Sequence, residues 1–291
     1  MRPYRDREMR IAILGETRLP VLPYGSGGLG RATHEIATAL KKRGRDVTLY
    51  APFRSEFDGK MKQWESVKTS DWDVLLDYSH DHWISRNYYD VPVLNLIGDR
   101  ECPYQPPCAI VESMYMRDHY PQSRLVKAGI DLSGIPYNSQ PGDYLIFMGL
   151  NTGHKQPEIA QEVAKNAGKE IIFIGPGFRE VDEADKWKLL GGALGLLCPY
   201  TIDASPRAPL EAAACGTPTI CLSTDGTHDH VVNGMTGFVC QDAAEMASRV
   251  RELGDLRRGN IRIWVKQTHD IEVTIVEIER LLREVEADRR W

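Results

Sequence analysis

The chain has 291 residues, of which 42% are hydrophobic and 26% are charged, and its formal net charge is −5. This length and apolar content predict two domains of about 130 to 150 residues, each with its own buried core. The negative net charge excludes a protein that coats nucleic acid or anionic lipid over its whole surface.

The opening segment MRPYRDREMR lacks the apolar stretch of a secretory signal, and the sequence contains no apolar run of the roughly 18 to 20 residues that span a bilayer. We therefore expect a cytoplasmic protein, with peripheral contact to a membrane left open and no obligatory membrane or nucleic-acid partner. The six cysteines form no CxxC pairs, so reduced thiols are expected.

The first half alternates short apolar runs with helical patterns. Strands are predicted at residues 10–14, 46–50, 74–77, 93–97, 109–111 and 125–128, and a helix is predicted at about 31–42. Strand, helix and strand in this order are typical of a βαβ unit, so a parallel sheet follows.

Residues 130–143 are crowded with Pro, Gly, Ser, Asn and Asp and keep no apolar period, which predicts a boundary between domains 1–138 and 139–291. The alternation then restarts. Strands are predicted at 144–148, 170–174, 194–198 and 217–222, and helices at 157–167, 184–190 and 209–215. An amphipathic helix at 270–285 is expected to pack across a domain. The fold class is therefore α/β, with two Rossmann-like parallel-sheet domains facing each other across a ligand-binding cleft.

Gly25, Gly27 and Gly30 spell GxGxxG before the first helix. In a dinucleotide-binding fingerprint the glycines directly follow the strand, and an acid ends the next strand. Here ten residues intervene and the second strand, DVTLY, is followed by no acid, so NAD or FAD is not expected and no cofactor is predicted. The backbone amides of this loop are suited to approach a phosphate or a sugar, although a tight loop without a ligand would have the same glycines.

The most informative stretch is DASPRAPLEAAACGTP, in which Asp203 and Glu211 are separated by seven residues. Pro206 suits the start of a helix, and Arg207 follows it directly. Glu211 then lies about one turn inside an alanine-rich helix that Gly216 is expected to end.

This stretch resembles the retaining glycosyltransferases of the GT-B fold, in the large glycosyltransferase group 1 or family 4 type. The resemblance extends to PYGSGGLGRATHEIATALKKRGRDVTLYAP near the start, to YLIFMGLNTGHKQPEIAQEV and IIFIGPG after the boundary, and to DGTHDHVVNGMTGF. It implies the GT-B fold, a nucleotide-diphosphate sugar held mainly by the second domain and an acceptor held mainly by the first. It also implies sugar transfer with retention at the anomeric carbon and no essential metal.

Carried over by residue, the resemblance gives Glu211 the hydroxyls of the nucleotide ribose and Asp203 the hydroxyls of the donor sugar. Lys155 matches a lysine that meets the diphosphate, and its charge would stabilise the leaving nucleotide. Gly27 and Gly28 match a turn whose amides approach the phosphates and the acceptor. The resemblance thus implies that Lys155, Asp203 and Glu211 form the catalytic set.

The sequence departs from this family at several positions. The glycine before the segment LNTGHK is usually followed by an arginine, and Leu150 stands there instead. Arg207 is the candidate that replaces the missing charge on the diphosphate. The family histidines near the transferred sugar have no secure match, and His80, His82 and Asp99 are the nearest candidates for the acceptor or sugar side.

Several alternatives stay open. The two HDH segments, 80–82 and 228–230, invite a metal site, but they have no cysteine knuckle and no metal is predicted. A UDP-sugar is the first choice of donor and a GDP-sugar the second, while the acceptor stays undetermined. Rival functions are a catalytically weakened sugar-nucleotide-binding or regulatory protein of the same fold and a sugar-nucleotide epimerase or hydrolase.

Overall fold

The structure is a computed structural model that describes residues 9–17, 19–23, 27–88, 91–102, 104–288 and 291. The described residues form two compact units. Unit 1 comprises those of Met1–Val111, Tyr120–Gly129 and Ile271–Trp291, and unit 2 comprises Glu112–His119 and Ile130–Asp270.

The strands and helices alternate along most of the chain. The strands are β1 (Arg10–Leu14), β2 (Asp46–Tyr50), β3 (Lys60–Lys62), β4 (Val74–Asp77), β5 (Val93–Leu96), β6 (Ala109–Val111), β7 (Arg124–Leu125), β8 (Tyr144–Met148), β9 (Glu170–Ile174), β10 (Gly195–Cys198), β11 (Thr219–Leu222) and β12 (Gly237–Cys240). The helices are α1 (Gly28–Lys42), α2 (Trp83–Asn87), α3 (Met114–His119), α4 (Pro157–Asn166), α5 (Glu183–Gly192), α6 (Arg207–Cys215), α7 (Ala243–Arg249), α8 (Arg258–Thr268) and α9 (Ile271–Glu286). No helix in the described ranges combines the length and apolarity needed to cross a membrane.

Unit 1 contains a seven-stranded parallel sheet in the order β3-β2-β1-β4-β5-β6-β7. Its central strand β1 is fully buried from Ile11 to Leu14, as expected for a parallel strand covered on both faces. Helix α9 packs on α1, β4 and β5, and it buries Ile275, Ile278 and Leu282 on its apolar stripe. The C-terminal helix therefore completes the core of unit 1.

Unit 2 contains a five-stranded parallel sheet in the order β12-β11-β10-β8-β9. Helix α6 contacts β10 and β11 and buries Leu210 and the alanines 212–214. It ends at Gly216, whose φ of 84° is a left-handed conformation that glycine adopts without strain. Small alanines let the helix lie close to the sheet, so the residues at its N-terminal end are held firmly.

Each sheet has one point where the order of its strands reverses. In unit 1 the chain leaves β1 towards β2 on one side and later fills β4 on the other side, and in unit 2 β9 and β10 flank β8 in the same way. Ligands of open α/β sheets bind outside the carboxyl ends of the strands at such a switch point. Ligand-binding residues are therefore expected in the loops after β1 and β4 and in those after β8 and β10.

The predicted elements agree with the structure most closely for strands 10–14, 46–50, 74–77, 109–111, 144–148 and 170–174. Helix α1 begins at Gly28 rather than near 31, and α6 begins at Arg207 rather than near 209. Strands β3 and β12 were not predicted. The residues of β3 are exposed and mostly lysine, and only the first two residues of β12 lie within the segment DGTHDHVVNGMTGF that was used for the resemblance. The unit boundaries differ from domains 1–138 and 139–291, since the chain passes into unit 2 near Ile130 and Ile271–Trp291 lies in unit 1.

Candidate functional site

The switch point of unit 2 brings an acid and a cation together. Lys155 lies in the loop after β8 and Asp203 in the loop after β10, and the Lys155 ammonium donates to Asp203 Oδ2. The same ammonium lies 3.9 Å from the centroid of the Tyr200 ring, a cation–π contact. Both charged side chains are largely covered, with 13% and 20% exposed. A pair of this kind can meet both the hydroxyls and the phosphates of a ligand.

The loop that carries Asp203 is fixed by the turn after β11. Gly226 N donates to Asp203 O at 2.9 Å, and a Cβ atom at position 226 would lie 2.3 Å from Ala204 O. Only glycine allows this approach. Asp225 is fully buried, and its Oδ1 accepts from Thr227 N at 2.9 Å. Burial raises the pKa of Asp225 to about 6.

Glu211 lies on α6 and is already paired with a cation. Its Oε2 is 3.4 Å from the ammonium of Lys186 on α5, and both residues are buried. Lys186 also donates to Glu183 Oε1 at 2.9 Å and lies 3.8 Å from the centroid of the Trp187 ring. The carboxylate expected to hold a ribose is therefore charge-balanced from within the protein.

Two further predicted positions flank these residues. Arg207 is the first residue of α6, next to Pro206, and its Nε is buried. A guanidinium at this end of a helix adds to the positive potential of the backbone N–H groups there. Leu150 follows β8, and its side chain is 46% exposed. An exposed leucine contributes no charge to this edge of the sheet.

The switch point of unit 1 also holds an acid and a base. Glu16 follows β1, His80 follows β4, and His80 Nε2 lies 2.8 Å from Glu16 Oε2. The Glu16 side chain is 5% exposed and accepts from Thr17 N through Oε1, whereas the His80 ring is 49% exposed. A buried carboxylate thus orients an imidazole that is open to solvent.

His82 has a different environment from His80. It is 1% exposed, and its Nδ1 lies 3.9 Å from Oδ2 of the fully buried Asp77. Burial lowers the pKa of His82 to about 4 and raises the pKa of Asp77 to about 7. Near neutral pH the histidine is therefore neutral and the acid is partly protonated. Both properties result from the position of this pair in the core of unit 1.

The other predicted positions of unit 1 are exposed. Gly27 and Gly28 begin α1, and no side chain caps the helix at Gly27. Among the described residues, no atom would lie within 4 Å of a Cβ at position 27. Asp99 follows β5, and its Oδ1 accepts from Glu101 N at 3.1 Å. Gly25, the first glycine of the GxGxxG pattern, lies outside the described residues.

The HDH segment at 228–230 lies in the turn after β11 and connects this turn to neighbouring segments of unit 2. Asp229 Oδ2 accepts from Tyr115 N at 2.9 Å, and His230 Nε2 lies 3.3 Å from Ser205 Oγ. In the ranges that the structure describes, no three His, Cys, Asp or Glu side chains are grouped to hold a metal ion.

The sequence located the acids and cations but not all of their partners. Glu16, Lys186 and Asp225 were not singled out. Glu16 stands two residues after a buried strand, which is a usable signal in a βαβ unit. Asp225 has a local signal, since its side chain accepts from Thr227 N two residues later, as aspartates in turns often do. Lys186 has none, because its contact with Glu211 depends on the packing of α5 against α6.

Residues 139–255 match the family model described as Glycosyl transferases group 1. A glycogen synthase of Thermodesulfovibrio yellowstonii is 30% identical over 121 residues, which make up 41% of this chain and 23% of that protein. The chain therefore spans about a quarter of the length of this curated relative.

Solved structures resemble nearly the whole chain. The glycosyltransferase AviGT4, involved in avilamycin A biosynthesis, superposes with a TM-score of 0.78 at 17% identity over 97% of this chain and 99% of its own. The sucrose-phosphate synthase of Thermosynechococcus elongatus gives 0.77 at 15% identity over 96% and 100%. HepE of Anabaena, solved with UDP-glucose, gives 0.72 at 14% identity over 95% and 100%. These likenesses confirm the predicted GT-B fold class, and residues 139–255 are similar in sequence to the Glycosyl transferases group 1 family.

Proposed function

We propose that this chain transfers a sugar from a nucleotide-diphosphate sugar to an acceptor, with retention of the anomeric configuration. The observation that carries the proposal is the Lys155–Asp203 pair at the switch point of unit 2, within the segment that matches the family model. A carboxylate and an ammonium at this position suit a ligand that has both hydroxyls and phosphates.

Different residues of unit 2 bind different parts of the donor in this proposal. Lys155 and Arg207 bind the diphosphate, where their charge stabilises the negative charge that grows on the leaving nucleotide. Asp203 accepts from hydroxyls of the donor sugar. Glu211 accepts from the ribose hydroxyls. Because a nucleoside diphosphate is already a good leaving group, this positioning and charge stabilisation form the protein's main contribution.

Unit 1 supplies the acceptor side in this proposal. The N-terminus of α1 at Gly27 and Gly28 offers backbone amides to oxygen atoms. His80, which Glu16 orients, and the exposed Asp99 are the candidates to meet acceptor hydroxyls. His82 is buried, so it acts by supporting the segment that carries His80.

A UDP-sugar is the proposed donor, and a GDP-sugar is the second choice. HepE of Anabaena, which shares the fold, was solved with UDP-glucose. The proposed reaction uses no metal and no cofactor, because Lys155 and Arg207 supply the positive charge for the diphosphate. Analysis of the product by NMR tests retention, since the coupling constant of the anomeric proton distinguishes the two configurations.

The binding step is tested by thermal unfolding with UDP, GDP, ADP, CMP and TDP sugars. A donor that binds the folded protein raises its apparent stability by about 2.7 kcal/mol at a hundredfold excess over Kd. Glu211→Ala should abolish the shift and Arg207→Ala should reduce it. The matched control is Glu162→Ala, which removes an exposed carboxylate on α4 and should leave the shift intact. A folded wild type that no donor stabilises would refute the proposal.

One observation favours a second candidate, a sugar-nucleotide-binding protein with weak catalysis. Leu150 stands where the family resemblance implies an arginine, and its exposed side chain provides no cation. For this candidate the donor stabilises the protein, but no nucleotide is released with a mixed pool of acceptors. Release of nucleotide that depends on an acceptor supports the transferase instead, while release without any acceptor indicates hydrolysis.

A further inference from the structure

Lys186 is a buried cation in contact with Glu211, the proposed ribose-binding residue. Neither the motif nor the resemblance indicated it. It lies on α5, is 8% exposed, and reaches Oε2 of Glu211 on the neighbouring helix α6 at 3.4 Å. Three features surround its ammonium, namely the Glu211 carboxylate, the Glu183 carboxylate at 2.9 Å and the face of Trp187 at 3.8 Å. The position of this charge is therefore well defined.

A buried ion pair of this kind needs a reason beyond stability. Removing two charged groups from water is costly, and apolar residues of similar size often give an equally stable core. The pair is not at the protein surface, where side chains exchange partners freely, since both members are under a tenth exposed. A fixed cation beside a carboxylate is, in contrast, what a preorganised binding group requires.

The contact acts on the orientation of Glu211. A carboxylate rotates about its last side-chain bond with a broad preference, so an isolated glutamate presents its oxygens in many directions. An ammonium 3.4 Å from Oε2 restricts this rotation, so the carboxylate presents its oxygens in fewer directions. Restricting the acceptor before the ligand arrives lowers the cost of ordering it on binding.

We infer that Lys186 is a positioning residue that orients the Glu211 carboxylate towards the ribose hydroxyls of the bound nucleotide. The inference rests on the proposed function, because it assumes that Glu211 binds ribose. It makes a specific claim about selectivity. Lys186 acts on the recognition of ribose hydroxyls and not on the diphosphate, so its loss should affect nucleotides with and without these hydroxyls unequally.

The experiment compares binding of UDP and 2′-deoxy-UDP to the full chain by calorimetry, with GDP and 2′-deoxy-GDP as a second pair. A hydrogen bond from a hydroxyl to a carboxylate is worth about 10- to 100-fold in affinity, so the wild type should prefer the ribonucleotide by about that factor. Lys186→Met should bring the preference below about threefold. Lys186→Arg, which keeps the charge, should restore at least a fivefold preference.

The matched control is Lys188→Met, the same substitution on the exposed side of α5, which should keep the wild-type preference. If Lys186→Met fails to fold, Lys186→Gln provides the comparison with a neutral polar side chain. Equal weakening of both nucleotides by the Lys186 substitutions would overturn the inference, because it would indicate a phosphate contact or a general structural role. A wild type that prefers the ribonucleotide, together with a Lys186 variant that keeps this preference, would also overturn it and leave the proposed function standing. A wild type that binds no nucleotide would overturn both.

Discussion

The buried Asp77–His82 pair allows a quantitative test of the electrostatics of unit 1. Asp77 Oδ1 accepts from the backbone N–H and hydroxyl of Ser79 at 2.8 and 2.6 Å. Oδ2 has no hydrogen-bond partner among the residues that the structure describes, and it lies 3.9 Å from His82 Nδ1. Burial raises the pKa of Asp77 from 3.8 to about 7, against the opposing effect of the Ser79 hydrogen bonds. The substitution Asp77→Asn keeps the oxygen that Ser79 contacts and removes the ionisation.

The raised pKa of Asp77 determines the direction of the effect. The folded state binds the Asp77 proton more tightly than the unfolded state does. The contribution of this proton to the unfolding free energy is therefore fully present below pH 3.8 and is lost as the pH rises through about 7. At about 1.4 kcal/mol per pH unit, the wild type should lose about 3 kcal/mol from this group between pH 5 and pH 8. The neutral asparagine does not lose this amount, so Asp77→Asn should gain about 3 kcal/mol relative to wild type over that interval.

Urea unfolding at pH 5, 6, 7 and 8 measures this difference. His82 is present in both proteins, and its low pKa changes their unfolding free energies in the same direction. Glu65→Gln, at an exposed carboxyl elsewhere in unit 1, is the control and should run parallel to wild type. A free-energy difference between Asp77→Asn and wild type that stays constant from pH 5 to pH 8 would refute the reasoning, since it would show that Asp77 does not titrate within this range.

Three other substitutions test separate contacts. Gly226→Ala should cost about 1–3 kcal/mol of unfolding free energy and weaken donor binding, because its Cβ would lie 2.3 Å from Ala204 O. The control Gly254→Ala should be neutral in a urea titration, because its Cβ would meet no atom of the described residues within 4 Å. Glu279→Ala should lower the unfolding free energy by about 1–3 kcal/mol, because Arg45 and Arg43 bond its carboxylate at 2.7 and 3.2 Å. This loss should shrink below pH 4.5, because the two arginines lower the pKa of Glu279 despite its burial. Lys155→Met should weaken binding of UDP about tenfold but leave uridine unchanged in calorimetry, and equal losses for both would contradict a diphosphate contact.

The sequence predicted the parts of the fold that local pattern controls. Central strands such as β1 and β8 are continuous apolar runs, because a parallel strand is buried on both faces, and their bounds were predicted correctly. The edge strand β3 has the exposed sequence KMK, which carries no such signal, and its pairing with β2 follows from the tertiary structure. Helix α1 begins at Gly28, and glycine's low helix propensity explains why the predicted start fell later.

The candidate site was predictable to the extent that it is a linear motif. Asp203, Arg207 and Glu211 lie on one loop and the helix after it, so their spacing alone indicated a shared edge. Glu16 and His80 are more than sixty residues apart, and their contact depends on β1 and β4 being neighbours in the sheet. Pairings of this kind are set by strand order, which local periodicity does not encode.

The ion pairs of unit 2 determine what a bound diphosphate has to displace. Lys155 is paired with Asp203 and Lys186 with Glu211, so each proposed donor-binding acid already has a lysine partner. A diphosphate brings negative charge, and it must draw the Lys155 ammonium towards its own oxygens in competition with Asp203. With Leu150 at the end of β8, this competition is less favourable than it would be with an arginine at that position. Leu150→Arg should therefore strengthen UDP binding about tenfold, and no gain in affinity would show that the charge at Arg207 already suffices.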